Sequence, residues 1–270
     1  MFKQCKLINI IISKYLAVNG TTGEGKSLTK EERKEVVEQW IKVSKKRILD
    51  VTIILTQLNI CSHNYYILES VAKKLIFTRF CFTDALVHHF AEIAKSAPKL
   101  PFIYYHLPIM TGVELNMEDF SYRAQKEIPN FGGVKFSSKD LPDMIGVVFS
   151  GVNVLFGCDE QFVGGIAMGA HGGVGSLYNF MPKVYHKMLA LIKQGSLPEA
   201  REEQMKGQRL CRVMYKYGNL QGGNVAALKQ IMSYMGVEMG PPRSPMRECT
   251  KEEKEKFKNE LKAIGFFEWI

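Results

Sequence analysis

The chain has 270 residues, of which 46% are hydrophobic and 23% charged, and these proportions are typical of a soluble globular protein. Its net charge of +9 comes from lysines interleaved with glutamates, as in residues 251–258, which is typical of solvated helix faces rather than a nucleic-acid-binding stripe. No apolar run is long enough to span a bilayer, and Leu7–Ile12 lacks the cleavage pattern of a signal peptide. We therefore expect a cytoplasmic protein that binds neither membranes nor nucleic acids.

Metal binding and disulfides are also not expected. The six cysteines are scattered without zinc-ligand spacing, and the six histidines include no HExxH motif. This pattern indicates free thiols in a reducing compartment.

The predicted elements alternate between strands and helices along most of the chain. Apolar runs predict strands near residues 13–18, 51–55, 102–105, 131–136, 152–156 and 172–178. Apolar residues at helical spacing predict helices at residues 85–94, 117–126, 141–148 and 162–170, and only helices follow Pro182. This alternation is typical of parallel βαβ units. We expect an α/β barrel over residues 1–195 and a helical extension over residues 196–270.

One lysine lies inside an otherwise uncharged predicted strand. In the stretch 131–138, Val134 and Phe136 would face one side of the sheet and Lys135 the other. A lysine shielded from water is neutral for part of the time and can attack a carbonyl carbon to form a Schiff base. Taken alone, however, the stretch favours an exposed lysine on an edge strand.

Residues 20–27 read GTTGEGKS and satisfy the phosphate-binding pattern GxxxxGK[ST]. Asp159 and Glu160, after a later strand, imitate the acidic partner that holds magnesium in such proteins. A capping box formed by Thr29 and Glu32 nevertheless predicts that the next helix begins after the lysine of the pattern, whereas a P-loop needs that lysine at the helix N-terminus. Nucleotide binding is therefore the less favoured alternative.

Five short motifs occur in order near predicted strand ends: GTTGE at 20–24, YYHLP at 104–108, GVKFS at 133–137, GCDE at 157–160 and GSLYN at 175–179. Together they resemble the N-acetylneuraminate lyase and dihydrodipicolinate synthase family of class I aldolases. The similarity covers residues 18–50 and 83–270 and includes GPPR at 240–243, which resembles the start of the family's C-terminal region. Residues 109–112 contain no arginine, which favours the lyase branch over the synthase branch.

The resemblance implies a TIM (β/α)8 barrel with C-terminal helices, a homotetramer, and retro-aldol cleavage of N-acetylneuraminate without a metal or organic cofactor. It implies that Lys135 forms the Schiff base and that Tyr105 transfers protons. It also implies substrate-binding roles, with Thr21 and Thr22 at the pyruvate carboxylate and, at the sugar hydroxyls, Ser137, Gly157, Asp159, Glu160 and Ser176.

Two stretches differ from the family pattern. Residues 1–12 do not resemble its first βα unit, and residues 57–82 do not match its third helix and fourth strand. We therefore expect an incomplete barrel. Two alternatives stay open, namely another pyruvate or 2-keto acid aldolase and an inactive truncated relative.

Overall fold

The structure is a computed structural model, and it describes residues 20–44, 54–55, 82–95, 98 and 101–270. Its centre is a five-stranded parallel sheet in which each strand pairs with the next along the chain. The strands are β1 (Ile54–Leu55), β2 (Phe102–His106), β3 (Phe131–Phe136), β4 (Val154–Phe156) and β5 (Gly172–Gly173). Parallel strands in chain order, with helices between most of them, form the wall of an α/β barrel, so the predicted class is confirmed.

Ten helices accompany the described strands. Those up to β5 are α1 (Lys30–Ser44), α2 (Thr83–Ala94), α3 (Pro108–Thr111), α4 (Met117–Glu127), α5 (Leu141–Phe149) and α6 (Phe162–Ala167). After β5 come α7 (Pro182–Lys193), α8 (Leu197–Leu220), α9 (Asn224–Tyr234) and α10 (Lys251–Ala263). The polar residues that precede several of these helices explain where they begin. The predicted capping box before α1 is confirmed, because the Thr29 N–H donates to Glu32 and the Glu32 N–H donates to Thr29 Oγ1.

The first hydrophobic cluster lies between the outer face of the sheet and helices α2, α4 and α5. Its fully buried members include Phe120, Val134 and Phe136, and Tyr104 packs against the ring of Phe120. Because Val134 and Phe136 both point into this cluster, Lys135 between them points to the opposite face of the sheet. The predicted alternation along β3 is therefore confirmed.

The second hydrophobic cluster joins α6 and α7 to the three helices that follow. Phe257 of α10 is fully buried in it and stacks on Tyr217 of α8, with ring centroids 4.2 Å apart. The cluster contains residues from both sides of position 195. The division into residues 1–195 and 196–270 stays a prediction.

Two predicted elements are shorter than expected. The glycine-rich strand ends at Gly173, and Leu177–Asn179 forms a 3-10 turn because the Leu177 N–H donates to the Asp159 carboxylate at 3.0 Å. The helix expected to reach residue 170 ends at Ala167, shortly before Gly169 takes a φ of +102°. A long-range hydrogen bond and a left-handed glycine therefore override the local pattern.

Several predictions lie outside the described residues. They are the strand at 13–18, the absence of the first βα unit, and the unmatched segment 57–82 except for Phe82. Within the part of the chain that the structure describes, no helix has the length and apolar character needed to cross a membrane.

Replacing Phe257 with alanine should lower the free energy of unfolding by about 3–5 kcal/mol, since it empties a fully buried ring site in the second cluster. The matched control is Phe149→Ala, because the Phe149 side chain is 73% exposed and its loss should change stability by about 0.5 kcal/mol or less. Urea unfolding followed by circular dichroism measures both. Equal effects for the two variants would contradict the position assigned to Phe257.

Candidate active site

Lys135 and Tyr105 lie side by side near the carboxyl ends of neighbouring strands. Parallel pairing puts the two residues in register, and the Lys135 Nζ lies 4.0 Å from the centroid of the Tyr105 ring. Tyr105 is buried and Lys135 is half-buried. An ammonium group over an aromatic face is attracted by the ring electrons. Because β3 has a strand on each side, the alternative of a lysine on an edge strand is wrong.

Ser137 and Gly157 form the rim next to this pair. Each follows its strand directly, and a Cβ on Gly157 would stand only 1.9 Å from Ser137 Oγ. Only glycine permits this close approach. Ser137 Oγ is buried and has no hydrogen-bond partner among the described residues.

The acidic residues follow β4 on a 3-10 turn, Asp159–Gln161. Asp159 is 6% exposed, and its Oδ2 accepts the Leu177 N–H that follows Ser176. Its Oδ1 is buried without a hydrogen-bond partner in the described part of the chain, close to the backbone of Gly175. Glu160 is half-buried. Buried oxygens are normally hydrogen-bonded, so the unpaired oxygens of Ser137 and Asp159 suit a polar ligand.

Burial dominates the electrostatics of Asp159. It raises the pKa of this carboxyl to about 6, although the hydrogen bond from the Leu177 N–H lowers the pKa and opposes the rise. Glu160 raises the pKa further and the charge of Lys135 lowers it. The carboxyl therefore exchanges its proton close to neutral pH.

Thr21 and Thr22 lie on a tight turn ahead of α1. The carbonyl of Gly20 accepts N–H groups from Gly23 and Gly25, at 3.1 and 3.2 Å, and closes this turn. Thr21 is half-buried and Thr22 is exposed. The Glu24 side chain contacts Lys229 of α9 and the backbone N–H of Arg243.

The nucleotide-binding alternative is contradicted by the same region. Lys26 and Ser27 belong to a separate 3-10 turn, Gly25–Ser27, and α1 begins only at Lys30 after its capping box. A phosphate-binding loop needs both residues at the helix N-terminus, where backbone N–H groups face the phosphates.

His106 is the last residue of β2, next to Tyr105 in the chain. The structure places it on the outer face of the sheet, 2% exposed and packed against Phe136. Burial lowers the pKa of its imidazole to about 4, and its Nε2 lies 3.9 Å from Asp143 Oδ2. It is a neutral core residue, separate from the site on the inner face.

Sequence reasoning missed the residues that hold the acidic turn from behind. Gln204 Nε2 and Tyr185 Oη both donate to the carbonyl of Asp159, at 3.0 and 3.1 Å, and Gln208 Nε2 donates to the carbonyl of Glu160. Gln204 also accepts the Val163 N–H at 2.9 Å. The sequence feature that could have revealed this support is a glutamine on the buried face of α8, because a buried polar side chain needs hydrogen-bond partners.

The described residues contain no group of three or more His, Cys, Asp or Glu side chains arranged to hold a metal ion. The described cysteines are buried free thiols, namely Cys158, Cys211 and Cys249. Burial raises the pKa of the Cys158 thiol to about 12, so this thiol is not a reactive nucleophile at neutral pH.

A parallel α/β barrel with a lysine beside a tyrosine at its strand ends has the features of a class I aldolase, an enzyme that forms a Schiff base on a lysine. The chain belongs to the dihydrodipicolinate synthetase family, whose sequence profile matches residues 78–264. It is 36% identical to the N-acetylneuraminate lyase of Mus musculus over 267 residues, which cover 94% of this chain and 82% of the mouse protein. N-acetylneuraminate lyase A of Xenopus laevis is also 36% identical, over 87% of this chain and 79% of its own.

Solved structures give the same result. The Proteus mirabilis N-acetylneuraminate lyase superposes with a TM-score of 0.83 at 31% identity, over 97% of this chain and 90% of its own. The sialic acid aldolase of Aliivibrio salmonicida gives a TM-score of 0.81 at 28% identity, over 98% of this chain and 91% of its own. The predicted family and the TIM (β/α)8 barrel fold are thereby confirmed.

The free energy of unfolding of Asp159→Asn, measured relative to that of wild type, should increase as the pH rises. Burial raises the pKa of Asp159 from 3.8 to about 6, so the folded state holds this proton more tightly than the unfolded chain. The wild-type carboxyl therefore destabilises the fold progressively between about pH 4 and pH 6, by on the order of 3 kcal/mol in total. Asparagine does not ionise, and its side-chain oxygen can still accept the Leu177 N–H.

Urea unfolding of both proteins from pH 4 to pH 7.5 measures this difference. Glu114→Gln is the control, because Glu114 is exposed and its loss should produce no comparable trend. A stability difference between wild type and Asp159→Asn that is independent of pH would contradict the raised pKa.

Proposed function

We propose that this protein is an N-acetylneuraminate lyase, which cleaves N-acetylneuraminate to N-acetylmannosamine and pyruvate through a Schiff base on Lys135. The observation that carries the proposal is the position of the Lys135 Nζ, 4.0 Å from the Tyr105 ring on the next strand. The similarity to N-acetylneuraminate lyases along most of the chain supports the choice of substrate.

The first step forms a covalent intermediate. The neutral Lys135 amine attacks the keto carbon of the open-chain sugar acid, and loss of water leaves a protonated imine. Tyr105 lies against the amine and would carry the protons that the carbinolamine must gain and lose.

The second step breaks a carbon–carbon bond. Tyr105 removes the proton from the hydroxyl beside that bond, the bond electrons move into the imine, and N-acetylmannosamine leaves as the aldehyde. The remaining enamine takes a proton on carbon, and water then hydrolyses the imine to release pyruvate and free Lys135. The positive charge of the imine is the electron acceptor, so the step uses no metal or organic cofactor.

The rim would recognise the substrate by hydrogen bonds. In this proposal Thr21 and Thr22 hold the carboxylate of the pyruvate half. The sugar hydroxyls are bound by the residues that follow β3, β4 and β5, namely Ser137, Gly157, Asp159, Glu160 and Ser176. The unpaired buried oxygens of Ser137 and Asp159 support this assignment, because a hydroxyl can donate to each.

Cleavage of another pyruvate or 2-keto acid aldol is the second candidate. The absence of an arginine from residues 109–112 favours the lyase, since a second substrate carboxylate needs a cationic partner. Position 109 of α3 instead carries an isoleucine that is 85% exposed. Cleavage rates for N-acetylneuraminate and for other keto-acid aldols separate the two candidates.

The proposed lyase is a cytoplasmic homotetramer, as the family resemblance implies. Light scattering during size-exclusion chromatography tests the assembly, and a mass four times that of one chain is expected. An inactive relative that joins other subunits would instead show no turnover alone and mixed oligomers on co-expression.

Pyruvate with borohydride should attach a reduced three-carbon adduct to Lys135, because the imine is trapped as a stable amine. Lys135→Arg should abolish the adduct and the cleavage of N-acetylneuraminate, since guanidinium keeps the charge but is not a nucleophile. Peptide mass spectrometry locates the adduct. Lys139→Arg, at an exposed position on the loop that follows β3, is the matched control and should keep both. Folded wild-type protein without the adduct would overturn the proposed function.

Tyr105→Phe should lower kcat by about 10²–10⁴-fold, the usual contribution of a positioned proton-transfer group. The change removes only the hydroxyl, so the ring contact with Lys135 and the fold should persist. Steady-state cleavage of N-acetylneuraminate at several pH values measures the loss. A kcat within twofold of wild type would exclude Tyr105 as the proton-transfer residue.

A further inference from the structure

We propose that Lys229 and Glu24 position the Thr21–Thr22 turn for the keto-acid half of the substrate. The inference rests on the proposed function, because it takes that turn as the carboxylate-binding element. It assigns to the C-terminal helices an influence on keto-acid affinity that acts through this turn.

An ion pair connects the turn to the helical extension. The Lys229 Nζ on α9 lies 2.5 Å from Glu24 Oε2. The side chains are only 17% and 11% exposed, so water screens this pair much less than a surface pair.

Both carboxylate oxygens of Glu24 are occupied by the C-terminal region. Glu24 Oε1 accepts the backbone N–H of Arg243 at 3.0 Å, while Lys229 also donates to the carbonyl of Pro241 at 2.9 Å. The Arg243 guanidinium binds both carboxylate oxygens of Glu32 on α1, at 2.6 and 3.1 Å. The turn and the helix after it are therefore held to one segment of the chain.

The backbone of Glu24 transmits this restraint to the threonines. Glu24 has a φ of +54°, a left-handed conformation that is unusual for a residue other than glycine. Its N–H donates to the carbonyl of Thr21 at 3.2 Å. A conformation of this kind persists where the surroundings hold it, and here the held group is the Glu24 side chain. Lys229 and Glu24 are thus positioning residues that act through the backbone of Thr21 and Thr22.

A merely structural ion pair would behave differently. Its removal would lower stability without changing the affinity for a keto acid in the protein that is still folded. The deciding measurement is the pyruvate concentration that gives half-maximal borohydride trapping on Lys135, since it reports keto-acid binding without requiring the sugar.

Lys229→Met and Glu24→Gln should each raise the half-saturating pyruvate concentration about tenfold, because a small displacement of binding groups is enough for such an effect. The maximal amount of adduct at saturating pyruvate should not change, since neither residue touches Lys135 in this scheme. The double variant should be no worse than either single variant, because both remove the same interaction.

Lys216→Met is the matched control. Lys216 forms another ion pair of the extension, with Glu260 at 2.5 Å, and it joins α8 to α10 away from the turn. Its half-saturating pyruvate concentration should stay within twofold of wild type. An equal rise in Lys216→Met would mean that general loosening of the extension causes the effect, and this would overturn the inference.

The remaining outcomes separate this inference from the proposed function. Wild-type protein that forms no adduct overturns both. Wild-type protein that forms the adduct, with unchanged half-saturation in Glu24→Gln and Lys229→Met, overturns the inference alone. If Lys229→Met fails to fold, Glu24→Gln decides, because it keeps the side-chain shape and removes only the charge.

Lys229→Arg keeps the charge, so its half-saturating pyruvate concentration should stay within threefold of wild type. A tenfold rise in this variant would also overturn the inference.

Discussion

The register between β2 and β3 is the feature on which the site depends. It places Tyr105 opposite Lys135 on the same face of the sheet, while Tyr104, Val134 and Phe136 pack into the cluster behind it. Because side chains alternate along a strand, a slip of one residue would turn Lys135 into the apolar cluster. Its charged group would then be buried among apolar side chains. The packing of the outer face therefore also determines the orientation of the inner-face pair.

The rim is held by contacts between residues that are distant in the sequence. Gly157, directly after β4, allows the close approach of Ser137, directly after β3. The Asp159 carboxylate accepts the Leu177 N–H, so the chain after β5 turns instead of continuing as a strand. These two contacts bring the ends of three strands into one polar edge. Gln204 on α8 then supports the acidic turn from behind by binding the carbonyl of Asp159.

The helices after residue 195 therefore contact the turns at the strand ends as well as the second hydrophobic cluster. They bind the acidic turn through Gln204, alongside Tyr185 of α7, and they bind the turn before α1 through Lys229. Turns at the ends of strands have few hydrogen bonds of their own, so side chains from a packed helix can hold them in place. This arrangement explains why Gln204 stands on the mostly apolar buried face of α8.

Much of the fold and part of the candidate site could be predicted from the sequence, because they depend on local pattern. Alternation along β3 predicts that Lys135 faces away from Val134 and Phe136, and Thr29 with Glu32 marks the start of α1. Helical spacing likewise predicts α4 to within one residue. These features follow from side-chain periods of 2 and 3.6 residues, which are local properties of the sequence and do not depend on tertiary contacts.

Only the tertiary structure decided which of these residues meet. It placed β3 between two strands and His106 on the outer face of the sheet, where the helices cover it. It also ended β5 early, through the hydrogen bond from the Leu177 N–H to Asp159. It also paired Glu24 with Lys229. Such contacts join residues far apart in the chain, and their energies depend on burial and geometry that a local pattern does not contain. The sequence by itself determined the chemistry available at the strand ends, and the packing of sheet and helices decided where that chemistry is assembled.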